Sequence, residues 1–150
     1  FFLSRRFGFR DGVMGGNLWF FGADEDTALD AAERAAEAAE QTPDSVTTFP
    51  GGVAGSGSKA GSSYDFLIAA TYAEYCPTLK DKLGDKSKVP DGVTSIMEII
   101  INGRDLTALQ NATRNAIHAA AETPGLLKIS AGNYGGRLGK TFVHLHELLD

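Results

Sequence analysis

Glu98 is the one charged residue in the apolar run from Ser95 to Ile101, which has the composition of a buried strand. A carboxyl group in such surroundings loses solvation, which raises its pKa and makes it a candidate proton donor or acceptor near neutral pH. The alternative is a glutamate at a sheet edge that pairs with an arginine, and the pattern weighs both about equally. Glu98 is therefore our candidate catalytic residue.

The segment PGGVAGSGSKAG, residues 50–61, has the glycine content of a nucleotide-binding loop but not its spacing. A Walker A motif needs Gly-Lys followed by Ser or Thr, whereas Lys59 follows Ser58 and precedes Ala60. The dinucleotide fingerprint fails because its third glycine arrives one residue late, at Gly61. The looser prediction is a loop that binds an anionic or amide-rich ligand, with a flexible surface loop as the equal alternative. Its candidate binding residues are Gly51, Gly52, Ser56, Ser58 and Lys59.

A second glycine-rich segment, NYGGRLGK at residues 133–140, places a tyrosine ring and two cations beside flexible backbone. Tyr134, Arg137 and Lys140 would suit a planar heterocycle and carboxylates, although solvated turn residues look the same in isolation. The candidate binding residues here are Asn133, Tyr134, Gly135, Gly136 and Arg137.

The histidines and the single cysteine are weaker candidates. His144 and His146 would alternate on one face of a strand, which suits two metal ligands, but no third ligand stands out and we predict no metal site. Cys76 has no evident base nearby in the sequence and is interpreted as a small buried hydrophobe.

An internal repeat indicates which elements position these residues. Residues 17–52 and 97–136 each contain an apolar run, an aspartate cap, a helical pattern, a Thr-Pro stop, a second strand and Gly-Gly. Two βαβ units in one chain predict an α+β fold of the ferredoxin-like, split βαβ type (βαβ-βαβ). We expect an antiparallel sheet with helices on one face and a long insertion, residues 53–90, between the units. Residues 64–75 within it fit a helix or a strand.

This topology carries two further expectations. Gly15-Gly16 and the segments 50–61 and 133–140 are predicted to converge at one edge of the sheet as a site. The central strands are apolar on both faces, with Leu18 and Phe20 opposite Trp19 and Phe21. Because the helices cover one face, the other is expected to be covered by another domain or subunit.

The composition limits the class of protein. The chain has 150 residues, 43% of them hydrophobic, which is enough for one core and one domain. Its net charge of -5 argues against nucleic acid or an anionic membrane surface as the main partner. It shows no signal peptide and no apolar run of membrane-spanning length, and a single cysteine fits a reducing compartment, so we expect a cytoplasmic protein. A start on two phenylalanines indicates a fragment of a longer chain.

Several motifs, taken in order, resemble the C-terminal half of the formylmethanofuran:tetrahydromethanopterin formyltransferase family: FPGGVAGSGSKAG, CPTLKDKL, EIIING and KISAGNYGGRLGKTFVHLHELL. The likeness runs from about Gly15 to the end. We therefore expect residues 1–14 to lead in from a missing N-terminal lobe and residues 15–150 to form the C-terminal ferredoxin-like lobe. The resemblance implies formyl transfer between methanofuran and N5 of tetrahydromethanopterin, or a close pterin analogue, without a metal or a tightly bound cofactor.

The resemblance also implies partners and residue roles. Members assemble as homo-oligomers, commonly tetramers. Bacterial methylotroph relatives occur in a formyltransferase/hydrolase complex, and this chain is expected to be one of them. Glu98 would be the acid/base, Lys59 and Arg137 would hold carboxylate or phosphate tails, and amides of the glycine loops would stabilise an oxyanion. The alternatives are a non-catalytic ligand-binding or assembly lobe and a regulatory domain of ferredoxin type. Because the substrate cleft of the family draws on both lobes, the activity of the half-chain alone is in doubt. The direction of transfer is left open.

Overall fold

The computed structural model describes residues 5–55, 73–132 and 141–149 of the chain. The strands in these ranges are β1 (Val13–Gly22), β2 (Ser45–Thr47), β3 (Val53–Gly55), β4 (Ser95–Gly103) and β5 (Leu126–Ser130). The α-helices are α1 (Glu25–Glu40), α2 (Lys80–Leu83), α3 (Leu106–Ala121) and α4 (Leu145–Leu149), and short 3₁₀ turns occupy Pro50–Gly52, Ala73–Tyr75, Pro77–Leu79 and Gly84–Lys86.

One antiparallel sheet contains all the described strands, in the order β2-β4-β1-β5, with β3 also paired to β4. β1 and β2 both run antiparallel to β4, which lies between them. β4 and β5 in turn both run antiparallel to β1, which lies between them. Each βαβ unit is thus divided by a strand of the other unit, and the predicted α+β fold with an antiparallel sheet is confirmed.

The main core lies between this sheet and the two long helices. Its sheet side consists of Leu18, Phe20, Ile99 and Ile101, all with no exposed surface. The helix side is mostly alanine, which lets α1 and α3 approach the strands closely. The side chains of β1 and β4 were predicted to alternate between the two faces of the sheet. They do, because these four residues share the helix-covered face.

An aspartate caps each long helix. Asp24 accepts a hydrogen bond from the backbone N–H of Thr27 at 2.8 Å, and Asp105 accepts one from Ala108 at 2.9 Å. Both bonds satisfy amides that have no partner within the helix. Asp24, and not Asp26 two residues later, is the N-cap of α1.

The two caps are expected to contribute to stability in a pH-dependent way. The hydrogen bonds from Thr27 lower the pKa of Asp24 below its ordinary value of 3.8, and the bond from Ala108 does the same for Asp105. Because both pKa values are lower in the folded state, the stabilisation is complete above about pH 4 and is lost as pH falls through the lowered values. We expect Asp24→Ala or Asp105→Ala to lower the midpoint of thermal unfolding at pH 7, and the difference to shrink toward pH 2. The matched control is Asp11→Ala, whose side chain is exposed and lies outside the helices, with no expected change.

The second face of the sheet carries a separate cluster. Trp19, Phe21 and Ile96 pack there against Val89 and Val93, which precede β4 in the chain. Tyr75 also packs on this cluster, with its ring centroid 5.2 Å from that of Trp19. The expectation that another domain or subunit covers this face is wrong for this half, because the insertion between the units folds back over it. The other half, toward the start of β1, carries the partly exposed side chains of Glu98 and Ile100.

No helix in the described ranges combines the length and the hydropathy needed to cross a bilayer. Within the stretch that the sequence left open between helix and strand, residues 64–72 lie outside the described residues and Ala73–Tyr75 forms a 3₁₀ turn.

Candidate functional site

Glu98 lies in the middle of β4, on the face of the sheet turned away from α1 and α3. The strand register pairs it with Trp19 on β1 and Ala54 on β3, so it has a strand neighbour on each side. Its side chain is partly exposed, which leaves the carboxyl group accessible from the uncovered half of that face. No ion pair links Glu98 to an arginine or lysine of the described ranges, so the alternative of a paired edge glutamate finds no support there.

Asn17 connects this carboxylate to the backbone of Gly132, the residue directly before the second glycine-rich segment. Its Nδ2 donates a hydrogen bond to Oε1 of Glu98 at 2.9 Å, and its Oδ1 accepts one from the backbone N–H of Gly132 at 3.2 Å. Asn17 was not among the site residues predicted from the sequence. The available signal was a polar residue at the start of the apolar run of β1, at a position where its side chain shares a face with Trp19.

Gly132 must be a glycine because it lies directly against the indole of Trp19. A Cβ atom at this position would be 2.5 Å from Cζ2 and 2.8 Å from Cη2 of that ring. Trp19 is 3% exposed and held by the second cluster, so the ring has little room to move. The backbone that leads into residues 133–140 is thereby fixed beside Glu98.

Gly51 and Gly52 have a different place and a packing role. They lie at the junction of β2 and β3, with φ of 73° and 77°, which explains the glycines. Gly52 is buried, and a Cβ there would be 2.7 Å from the Cβ of Ala36 on α1. Gly51 is exposed. Gly51 and Gly52 were predicted to bind ligand. In the structure they lie at the edge of the sheet formed by β2 and β3, beside β4.

The predicted convergence of the glycine-rich segments stays a prediction, because residues 56–61 and 133–140 lie outside the described residues. Ala54 of the first segment pairs with Glu98, and Gly132, directly before the second, bonds Asn17. β5 runs antiparallel to β1, so the chain after β5 returns toward the start of β1, and Gly132 reaches Asn17. β2 runs in the same direction as β1 and is separated from it by β4, so Gly51 and Gly52 lie on the opposite edge from β5. The remaining predicted site residues, Ser56, Ser58, Lys59, Asn133, Tyr134, Gly135, Gly136 and Arg137, lie outside the described residues and stay predictions.

The predicted strand that would align the two histidines is wrong. His146 lies in helix α4, and His144 precedes it, because the LHELL sequence has the spacing of one amphipathic helical turn. Both residues line a cavity of about 530 Å³ between α3, β5 and α4, which Glu98 does not line. Across the described ranges, no group of three or more His, Cys, Asp or Glu residues is arranged to hold a metal ion.

The site as described offers one accessible carboxylate, an amide that orients it, and a close-packed backbone at Gly132. A carboxylate with these surroundings can accept a proton from one group and return it to another.

Comparison with known proteins assigns the chain to a family. A family model described as "FTR, proximal lobe" matches residues 1–148. A formylmethanofuran–tetrahydromethanopterin formyltransferase of Methanothermus fervidus is 47% identical over 149 residues, which are 99% of this chain and 50% of the relative. The chain thus spans about half the length of the curated relatives that it matches.

Two solved structures share the fold. The formylmethanofuran:tetrahydromethanopterin formyltransferase from Methanosarcina barkeri superposes with a TM-score of 0.82 at 45% identity, covering 91% of this chain and 46% of that one. The formyltransferase/hydrolase complex (FhcABCD) from Methylorubrum extorquens, solved with methylofuran, gives a TM-score of 0.81 at 42% identity, covering 93% and 46%.

Proposed function

Because the chain belongs to the family described as FTR, proximal lobe, we propose that it supplies the lobe with the acid/base carboxylate of a formyltransferase. The substrates are formylmethanofuran and tetrahydromethanopterin, or close analogues, as in the names of the relatives. The observation that supports this proposal is the position of Glu98, an accessible carboxylate in a central strand whose neighbour Asn17 ties it to the backbone of Gly132.

The chemistry of formyl transfer needs such a group. The acceptor nitrogen attacks the carbonyl carbon of a formamide, a new C–N bond forms, and the oxygen of the tetrahedral intermediate carries negative charge. The bond to the donor nitrogen then breaks, and one proton must pass from the attacking to the leaving nitrogen. We assign this transfer to Glu98, which accepts the proton as a carboxylate and returns it as a carboxylic acid.

Binding and oxyanion stabilisation are assigned to the glycine-rich segments. We propose that backbone amides of Gly135 and Gly136 donate to the developing oxyanion. Lys59 and Arg137 would hold acidic tails of the carriers, and Ser56, Ser58, Asn133 and Tyr134 would contact their polar and ring portions. The roles of the second segment are supported by Gly132, the residue before it, whose backbone N–H is linked to Glu98 through Asn17. The roles of the first segment are supported by Ala54, which pairs with Glu98.

The complete enzyme requires more protein than this chain. Since the chain covers 50% of its Methanothermus fervidus relative, we propose a second, N-terminal lobe that completes the substrate cleft. We also propose assembly into a homo-oligomer, a tetramer, or into a complex with hydrolase subunits like that of Methylorubrum extorquens. The exposure of three large apolar side chains supports contact with further protein. Each is at least 76% exposed in this chain: Phe7, Phe9 and Met14.

The test uses the full-length protein that contains this chain. We expect isothermal titration calorimetry to detect binding of both formylmethanofuran and tetrahydromethanopterin, and the mixture to yield formyltetrahydromethanopterin at a rate proportional to enzyme concentration. Injection of each carrier into buffer is the control for heats of dilution, and a carrier pair that lacks the formyl group is the control for transfer. Failure to bind either carrier would overturn the proposal, and binding of both without transfer would favour a non-catalytic binding lobe instead.

A further inference from the structure

Asn17 contacts both parts of the proposed site, and its chemistry fits both contacts. The N–H of Gly132 can only donate, and the Oε1 atom of Glu98 is the acceptor of its hydrogen bond with Asn17. A side-chain amide satisfies this pair because it presents one acceptor oxygen and donor hydrogens on the same plane. The orientation with Oδ1 toward Gly132 and Nδ2 toward Glu98 is the one that makes both hydrogen bonds.

We propose that Asn17 is a positioning residue for the reaction: it fixes the orientation of the Glu98 carboxylate and links it to the backbone at Gly132. The proposal rests on the proposed function of Glu98 and adds to it a specific requirement for an amide at position 17. A residue that served only to stabilise the strand would not need a donor toward Glu98 and an acceptor toward Gly132 at the same time.

The strand register supports the pairing. Asn17 is opposite Ile100, and Trp19 is opposite Glu98, so Asn17 and Glu98 are diagonal neighbours on one face of adjacent antiparallel strands. This arrangement holds their side chains at hydrogen-bond distance without bending the backbone. Asn17 bonds Oε1 of Glu98, and no described residue bonds the second carboxylate oxygen. That oxygen is the one we assign to proton exchange with the substrate.

Among the described residues, the other titratable or charged groups on this face include Lys128, which lies over the ring of Phe21, and Tyr75, which packs on Trp19. Lys88 and Glu74 are paired with each other beside Tyr75. Asn17 is the described residue that hydrogen-bonds the Glu98 carboxylate. A substitution at position 17 should therefore change the surroundings of this carboxylate directly.

The test is Asn17→Asp in the full-length enzyme. Aspartate keeps an acceptor for Gly132 but replaces the donor by a second carboxylate next to Glu98. Like charges at this distance raise the pKa of the pair, so we expect the acidic limb of the kcat/KM profile to move up by about one to three pH units. Asn102→Asp is the matched control, because Asn102 also accepts a backbone hydrogen bond, from Gly15 at 2.9 Å, but lies four residues from Glu98 along β4. Its profile should match that of the unsubstituted enzyme.

Asn17→Ala is the second variant, which removes the side-chain amide and both of its hydrogen bonds without adding charge. Because the carboxylate is then free to turn, we expect kcat to fall about 10- to 100-fold with KM within about twofold. If Asn17→Asp does not fold, this split between kcat and KM decides the question. A merely structural role would lower the unfolding temperature of both variants and leave the pH limb and kcat unchanged.

The outcomes separate this proposal from the proposed function. A profile of Asn17→Asp that superimposes on that of Asn102→Asp overturns the positioning role. If Glu98→Gln is inactive in the same series, the acid/base role of Glu98 is still supported. If Glu98→Gln keeps full activity, the proposed function fails whatever happens at position 17.

Discussion

Replacing Glu98 with glutamine in the full-length enzyme is expected to lower kcat for formyl transfer by about 10²- to 10⁴-fold, the usual contribution of general acid/base catalysis. Glutamine has the same shape, and its amide oxygen still accepts the hydrogen bond from Asn17 that is 2.9 Å long in the native protein. The fold and the binding of both carriers should therefore persist. The measurement is the steady-state rate with both carriers saturating, together with KM for each.

Glu74→Gln is the matched control for this experiment. Glu74 is also a partly buried carboxylate of this chain, but it pairs with Lys88 at 3.3 Å and has no place in the proposed site. We expect its kcat to remain within about twofold of the unsubstituted enzyme, because the ion pair of Glu74 with Lys88 lies outside the proposed site. Equal rates for Glu98→Gln and Glu74→Gln would remove Glu98 from the mechanism.

Trp19→Ala is expected to lower the free energy of unfolding by about 3–5 kcal/mol, the range for truncating a large buried aromatic residue. Trp19 is 3% exposed and packs against Tyr75, Phe21 and the backbone of Gly132. The loss would be a large part of the stability of an ordinary domain. Chemical denaturation of the full-length protein, followed by circular dichroism, measures it. The same variant should lose activity, because Gly132 loses the surface against which it packs.

Leu127→Ala tests whether this loss reflects burial on the second face. Leu127 is on β5 and is 52% exposed, so its truncation should cost less than about 1 kcal/mol. If Trp19→Ala were no more destabilising than Leu127→Ala, the cluster of Trp19, Phe21, Val89 and Val93 would not be a second core. The face would then have to be stabilised by other protein, as the sequence first indicated.

The elements of the fold could be predicted because their signals are local. The aspartate caps, the helical stripes and the Thr-Pro stops each lie within a few residues of the element that they delimit. The repeat of these signals then limited the topology to two βαβ units. Glu98 was found in the same way, since one carboxylate in an apolar strand is visible without knowledge of its neighbours.

The contacts that make the site depend on distant parts of the chain. Asn17 and Gly132 are 115 residues apart, and their hydrogen bond follows from the pairing of β1 with β5. The pairing of β3 with β4, which places Ala54 of the first glycine-rich segment beside Glu98, joins residues 44 positions apart and has no local signal either. The cover of Trp19 by residues 75–93 was missed for the same reason, and α4 was mistaken for a strand because a short apolar run fits both periods.

The most direct test of the role of Glu98 is an experimental structure of the full-length enzyme with methanofuran and a non-reactive formyltetrahydromethanopterin analogue bound together. The quantity to measure is the distance from the carboxylate oxygens of Glu98 to the nitrogen atoms that exchange the formyl group. We predict about 2.6–3.2 Å to one of them, or a single water molecule that bridges the gap. Both carriers bound with Glu98 too far away even for a bridging water, beyond about 6 Å, would contradict the role assigned to this residue.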